Sequence, residues 1–191
     1  MSHVFFISDL HFGHRNILNF EPEYRKGNDV DEHNLWLVNQ WNSVINKRDV
    51  VYVLGDIVFG VDNFRWLYML NGEKHCLLGN HDTYPIEHYQ QHFKRIHPGL
   101  FGYKGYWLSH APVHEDELRG RVNIHGHVHS NSIVKRYKAG ETDDRYLNVC
   151  VEMCDGVPIR LDQLGTHHRT MDRIMREKIE LGKRRSRHES K

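Results

Sequence analysis

Five short apolar runs punctuate the first two thirds of the chain, and each stops at a polar cluster. Val4–Ile7 leads to Asp9-Leu10-His11, Val50–Leu54 to Gly55-Asp56, and Lys74–Leu78 to Gly79-Asn80-His81-Asp82. Tyr106–Leu108 stops at Ser109-His110, and Val122–Ile124 at His125-Gly126-His127-Val128-His129. Apolar runs this short, bounded by glycine and polar residues, predict buried strands rather than helices. Between them the period changes. Asp31–Asn46 places Leu37, Trp41, Val44 and Ile45 on one helical face behind an acidic start. Asn63–Leu70 predicts a second helix with Asp62 as its cap, and Tyr84–Phe93 a third. Beyond these, Ser132–Arg136, Tyr146–Met153 and Val157–Leu161 read as strands, with a polar turn at Ala139–Asp144. Thr170–Leu181 has the spacing of an amphipathic terminal helix.

Strand–helix alternation followed by a cluster of strands predicts an α/β fold in which one sheet is layered against a second, with helices outside. A chain of 191 residues is long enough for one sizeable core. The expected organisation is a single domain over 1–182 and a basic, disordered tail over 183–191. The formal net charge of +1 argues against a globally basic nucleic-acid binder. From His167 onward nine Lys or Arg face four Asp or Glu, so the body before it is mildly acidic. The opening residues lack a basic n-region and an apolar h-region, and no run approaches membrane-spanning length, so a cytoplasmic setting without membrane contact is expected. Cys76, Cys150 and Cys154 lack the spacing of a disulfide framework or a thiolate metal site; core or sheet positions are expected for them.

The polar clusters carry the chemistry. Alternate residues of an extended segment share a face, so Asp9 and His11 are expected to hold one ion together, and His129 to point the same way as His127. Asp56 has two carboxylate oxygens with which to bridge two ions. Asn80 offers an amide oxygen, and His110 and His127 offer imidazoles. This mixture suits Mn²⁺ first, with Fe²⁺, Ni²⁺ or Zn²⁺ as alternatives, rather than Ca²⁺. Two ions about 3.5–4 Å apart bind phosphate oxygens, generate a bridging hydroxide for in-line attack, and need no protein nucleophile. The leaving oxygen needs a proton, for which His81 is the candidate general acid and Asp82 its candidate orienter.

Asp9-x-His11, Gly55-Asp56, Gly79-Asn80-His81-Asp82, His110 and Gly126-His127-x-His129 together resemble the motif set of the calcineurin-like metallophosphoesterases, in particular the small single-domain prokaryotic or phage members. The motifs span residues 4 to 129. The resemblance implies a four-layer α/β/β/α sandwich with a dinuclear centre. It implies that Asp9, His11 and His129 bind the first ion, that Asn80, His110 and His127 bind the second, and that Asp56 bridges. One departure matters: no Arg follows Asp56 in Gly55-Asp56-Ile57-Val58-Phe59-Gly60. That lowers the standing of a protein phosphatase. His14 and Arg15, with His114, become the candidates for contacting substrate phosphate. The leading expectation is hydrolysis of phosphate mono- or diesters, chiefly small nucleotide-type molecules. The alternative is a nuclease acting on DNA or RNA, with the basic tail as slight support, followed by a non-catalytic scaffold.

Overall fold

A computed structural model describes residues 1–137, 141–167, 169, 170 and 173. Most of the expected terminal helix, the basic tail and part of the Ala139–Asp144 turn lie outside the described residues.

The apolar runs become strands because both faces are covered. β1 (Val4–Ile7) and β2 (Val50–Leu54) are buried at every position but the first. They run parallel, with Val4 opposite Val50 and Ile7 opposite Val53. Continuous burial without alternation is what a parallel sheet covered on both faces requires. β3 (Glu73–Leu77) and β4 (Arg95–His97) extend this sheet in parallel, and β9 (Ile159–Arg160) closes its other edge antiparallel to β1, giving the order β4-β3-β2-β1-β9. The second sheet has the order β5 (Leu100–Tyr103), β6 (Tyr106–Ser109), β7 (Val122–His125), β8 (Tyr146–Asn148). Only its β5–β6 pair is antiparallel. Both sheets are therefore mixed, and helices flank them.

One core serves both sheets. Phe6 and Tyr52 of the first pack on Tyr103 of the second at ring separations of 6.2 and 4.9 Å. Leu108, Ile124 and Leu147 join Phe6, Val51 and Leu54 in a single buried cluster. The sheets also touch along the chain. Ser8 N–H donates to Val149 C=O at 2.9 Å, and Val151 N–H returns to Ser8 C=O at 3.1 Å. This stitch draws the ends of β1 and β8 together beside the polar clusters.

The helical expectations hold in part, and Asp62, expected as a cap, lies inside the first turn of its helix. A four-residue α1 (Ile17–Phe20) precedes α2 (Val30–Val44). α2 starts one residue early because the Asp29 carboxylate caps it, accepting from Asp31 and Glu32 N–H at 2.9 Å each. It buries His33, Asn34, Leu37, Val38 and Trp41, whereas Val44, expected on that face, is exposed. Val61–Met69 is a 3₁₀ helix, and α3 covers only Ile86–Gln90. The three late strands are shorter than the pattern predicts. Ser132–Arg136 reduces to a single bridge between Val134 and Thr142. In the Tyr146–Met153 run the strand stops at Asn148, and Val151–Cys154 turns into α4. Apolar composition was shared by strand and buried helix there, which periodicity alone does not separate.

Candidate metal centre

All five polar clusters meet at the C-terminal ends of β1, β2, β3, β6 and β7, where open α/β sheets place ligands. Asp9, His11, Asp56 and Asn80 follow strands of the first sheet; His110, His127 and His129 follow strands of the second.

The route by which they meet differs from strand alternation. Eight described non-glycine residues have positive φ, and five of them are Asp9, His11, Asp56, His127 and His129. Left-handed backbone costs a side-chain-bearing residue on the order of 1–3 kcal/mol and persists only where the surroundings impose it. Tight turns, not extended segments, aim these side chains inward. The turns are held by long-range bonds: Asp9 N–H to Gly55 C=O at 3.0 Å, and His11 N–H to Asp56 C=O at 3.0 Å. Two glycines allow the close approach. A Cβ on Gly79 would collide with the Asp56 carboxylate, and one on Gly126 with the Asp9 carboxylate.

Two sets of donors result. In one, Asp9 Oδ1 lies 3.6 Å from His11 Nε2 and 3.9 Å from His129 Nε2. In the other, His110 Nε2 lies 2.9 Å from Asn80 Oδ1 and 3.2 Å from His127 Nδ1. Asp56 Oδ2 stands between the sets, 3.9 Å from His11 Nε2 and 3.5 Å from His110 Nε2. The second set is a convergence of acceptors. His110 Nδ1 faces Leu54 C=O at 2.8 Å, which turns Nε2 toward the Asn80 oxygen. In the first set, Asp9 Oδ1 and both His11 ring nitrogens are buried without a hydrogen-bond partner among the described residues. An orphaned buried polar atom costs about 1–3 kcal/mol. Divalent cations at the two foci would satisfy these atoms, so the residues fit a metal. Asp9, His11 and His129 form one group able to hold an ion, and Asp9, Asp56 and His110 another.

Electrostatics agree. Burial raises the Asp9 carboxyl, but its polar neighbours, His11 at 3.6 Å first and then His110 and Ser8, outweigh it and hold the group well below the usual carboxylate range. Burial lowers the His11 imidazole despite the neighbouring carboxylates, which keeps it neutral, the metal-binding form.

Three further residues were missed by sequence reasoning. Glu152 Oε1 accepts from His129 Nδ1 at 3.0 Å and pairs with Arg25 Nη2 at 2.6 Å. Arg25 in turn donates to Asp9 C=O at 2.7 Å and to Leu10 C=O at 3.2 Å. Cys150, expected in the core and buried, also donates its thiol to Asp9 Oδ2 at 3.2 Å. Burial pushes that thiol up, so it stays protonated. A signal existed for Glu152: it is the one charge inside the run Val149–Cys154.

The remaining predicted residues separate. His81 is exposed beside the centre; its backbone N–H donates to Asp56 Oδ1 at 3.0 Å, and its ring lies 5.2 Å from Phe59 and 6.2 Å from His11. Asp82 is a correction. Its carboxylate accepts from the N–H groups of Asp56 at 2.7 Å, Gly79 at 2.8 Å and Ile57 at 3.0 Å, with no hydrogen bond to the His81 ring. Adjacent residues in the turn point apart, so Asp82 secures the backbone of the Asp56 and Gly79 turns instead of orienting the imidazole. His14 packs against His11 and Phe59 at 5.5 and 4.3 Å. Arg15 lines a cavity of about 710 Å³ with Asn19, Pro22 and Arg25. His114 is exposed and caps the turn Glu115–Glu117, accepting from Asp116 N–H at 3.3 Å.

No family model matches the chain. The uncharacterized protein MJ1445 of Methanocaldococcus jannaschii is 33% identical over 168 residues, covering 85% of this chain and 89% of its own length. The chain belongs to the MJ1445 family. The Gene 66 protein of Mycobacterium phage L5 is 33% identical over 173 residues, covering 72% of this chain and 82% of its own. Among solved structures, AQ665 of Aquifex aeolicus, a protein of unknown function, superposes with a TM-score of 0.66 at 25% identity, covering 87% of this chain and 99% of that one. Relatives of this chain thus occur in Methanocaldococcus jannaschii and in a mycobacterial phage, and the AQ665 fold covers 87% of the chain.

Proposed function

We propose that this member of the MJ1445 family is a metal-dependent phosphoesterase with a dinuclear centre in a four-layer α/β/β/α frame. The observation that carries the reading is the place of Asp56 Oδ2 between two converging donor sets. Asp9, His11 and His129 would hold one ion, Asn80, His110 and His127 the other, and Asp56 both. When bound, such a pair supplies Lewis acidity at the phosphoryl oxygens and a water of lowered pKa.

The chain's own part is to position and to move a proton. His81 faces solvent at the edge of the centre, with its backbone fixed by the bridging carboxylate. Its ring protonates the departing oxygen, a step worth about 10²–10⁴-fold. Phe59 lies against the rings of His11, His14 and His81, edge-on to His14 and tilted to the other two. His14, next to His11, is the nearest of the candidates for a substrate phosphate oxygen; Arg15 and His114 would act further out. The substrate class is a phosphate mono- or diester, with nucleotide-type molecules first.

The test is a panel of phosphomonoesters, linear diesters, 2′,3′- and 3′,5′-cyclic nucleotides and single-stranded DNA, each with Mn²⁺, Ni²⁺ or Zn²⁺. Wild type hydrolyses at least one class, while Asp56→Asn and His81→Ala each lose about 10²-fold or more in turnover. An inert wild type across the whole panel, or near-native turnover in either variant, sinks the reading.

A further inference from the structure

Behind the two donor sets the supports are unequal. The His110 ring is backed by a neutral acceptor, Leu54 C=O at 2.8 Å. The His129 ring is backed by a charged one, Glu152 Oε1 at 3.0 Å. The Glu152 side chain is completely buried, as is that of Arg25, its partner at 2.6 Å. The guanidinium continues past Glu152 to the backbone oxygens of Asp9 and Leu10, at 2.7 and 3.2 Å. One buried unit therefore fixes two members of the same donor set: His129 through its ring, and Asp9 through the turn that carries it.

We infer that Glu152, braced by Arg25, is a positioning residue for the ion held by Asp9, His11 and His129, and that it leaves the ion held by Asn80, His110 and His127 unaffected. The inference rests on the dinuclear reading. A carboxylate that accepts the second ring N–H of a ligating histidine fixes its tautomer and orientation and raises its basicity, an effect of about 10–100-fold in metal affinity. Within its donor set, His129 needs this help more than His11. His129 is half-buried, so its ring is less confined by packing than that of the buried His11. Glu21 also lies near His129 and Glu152. Arg25 already supplies the positive charge at that point, which argues for a support to His129 instead of a third ion site there.

The test is calorimetric titration of the metal-free full-length chain with Mn²⁺, comparing wild type, Glu152→Gln and Glu152→Ala. Wild type is expected to bind two ions. Glu152→Ala is expected to weaken one of the two by about 10–100-fold and leave the other within about twofold. Glu152→Gln, which still offers an oxygen to the His129 ring, is expected to fall between them. Removing the carboxylate strands the Arg25 charge, so the double variant Arg25→Gln/Glu152→Gln serves if a single variant does not fold. Two unchanged affinities, or two that fall equally, overturn the inference while leaving the phosphoesterase reading standing. A wild type that binds no Mn²⁺ overturns both, whereas a wild type that binds two ions but hydrolyses nothing removes only the activity.

Discussion

At the scale of single residues, Asp82 and His81 are neighbours with separate work. Asp82 is buried, and its two oxygens accept three backbone N–H groups from the turns that carry Asp56 and Gly79. Burial pushes its carboxyl up, although those N–H groups pull against the shift. Asp82→Ala would leave three backbone donors without this acceptor, two of them buried, a loss of about 3 kcal/mol. For a domain of this size the melting temperature should fall by roughly 6–12 °C. His81→Ala should leave the melting temperature and metal content unchanged while turnover falls. Thermal melts and metal analysis of both variants separate these outcomes; an Asp82→Ala protein that melts like wild type would show that the turn is held by something else. The adjacency Asn80-His81-Asp82 is legible in a sequence, but the direction in which each side chain leaves a tight turn is not. The turn leaves the His81 ring at the edge of the centre and turns the Asp82 carboxylate onto the backbone behind it.

At the scale of elements, α2 contributes a titration of its own. His33 is buried on its inner face, with Nδ1 3.0 Å from Lys26 C=O. Burial pushes its imidazole down to about 4 from the ordinary 6.5, helped by the Arg25 charge. The unfolded chain binds this proton near pH 6.5, the folded chain only near pH 4. Between those values the unfolded state holds more protons. The contribution is therefore complete above pH 6.5 and is lost as pH falls toward 4, by on the order of 1–3 kcal/mol. Melts of metal-free protein from pH 7 to 4 should show a shallower decline for His33→Gln than for wild type; parallel curves would refute the assignment. The elements themselves were legible where periodicity was strong. β1, β2, β3, β6, β7 and α2 fall within two residues of their expected limits. β4 and β5 were missed, because Arg95–His97 is polar and Leu100–Tyr103 alternates too briefly to register. The run Val149–Cys154 misled, because a strand and a buried helical turn have the same composition.

Across the whole molecule, the centre lies where the two sheets meet and draws donors from both. The seven donor residues were legible because each follows an apolar run, so sequence order alone places it at a strand end. Arg25 and Glu152 are 127 residues apart, so although Glu152 stands out as the one charge in its apolar run, nothing in the sequence pairs the two. Ions held at the proposed centre would bind the folded chain and not the unfolded one, and would stabilise it by mass action. At a free metal concentration 100 times the dissociation constant this amounts to about 2.7 kcal/mol. Removing metal with a chelator should therefore lower the melting temperature by roughly 5–10 °C, and Mn²⁺ should restore it. A melt indifferent to both would mean that the sheets are not joined in this way.

The left-handed backbone at Asp9, His11, Asp56, His127 and His129 also bears on how this chain can drift. Glycine adopts that conformation freely, and asparagine tolerates it better than most residues. Replacing one of the five by glycine should relieve the turn even as it removes a donor. A lineage freed from binding metal would then gain stability by losing ligands one at a time, with glycine and asparagine as the first replacements. Descendants of this chain that no longer hold metal should carry that substitution signature at these five turns, while the strands leading into them stay unchanged.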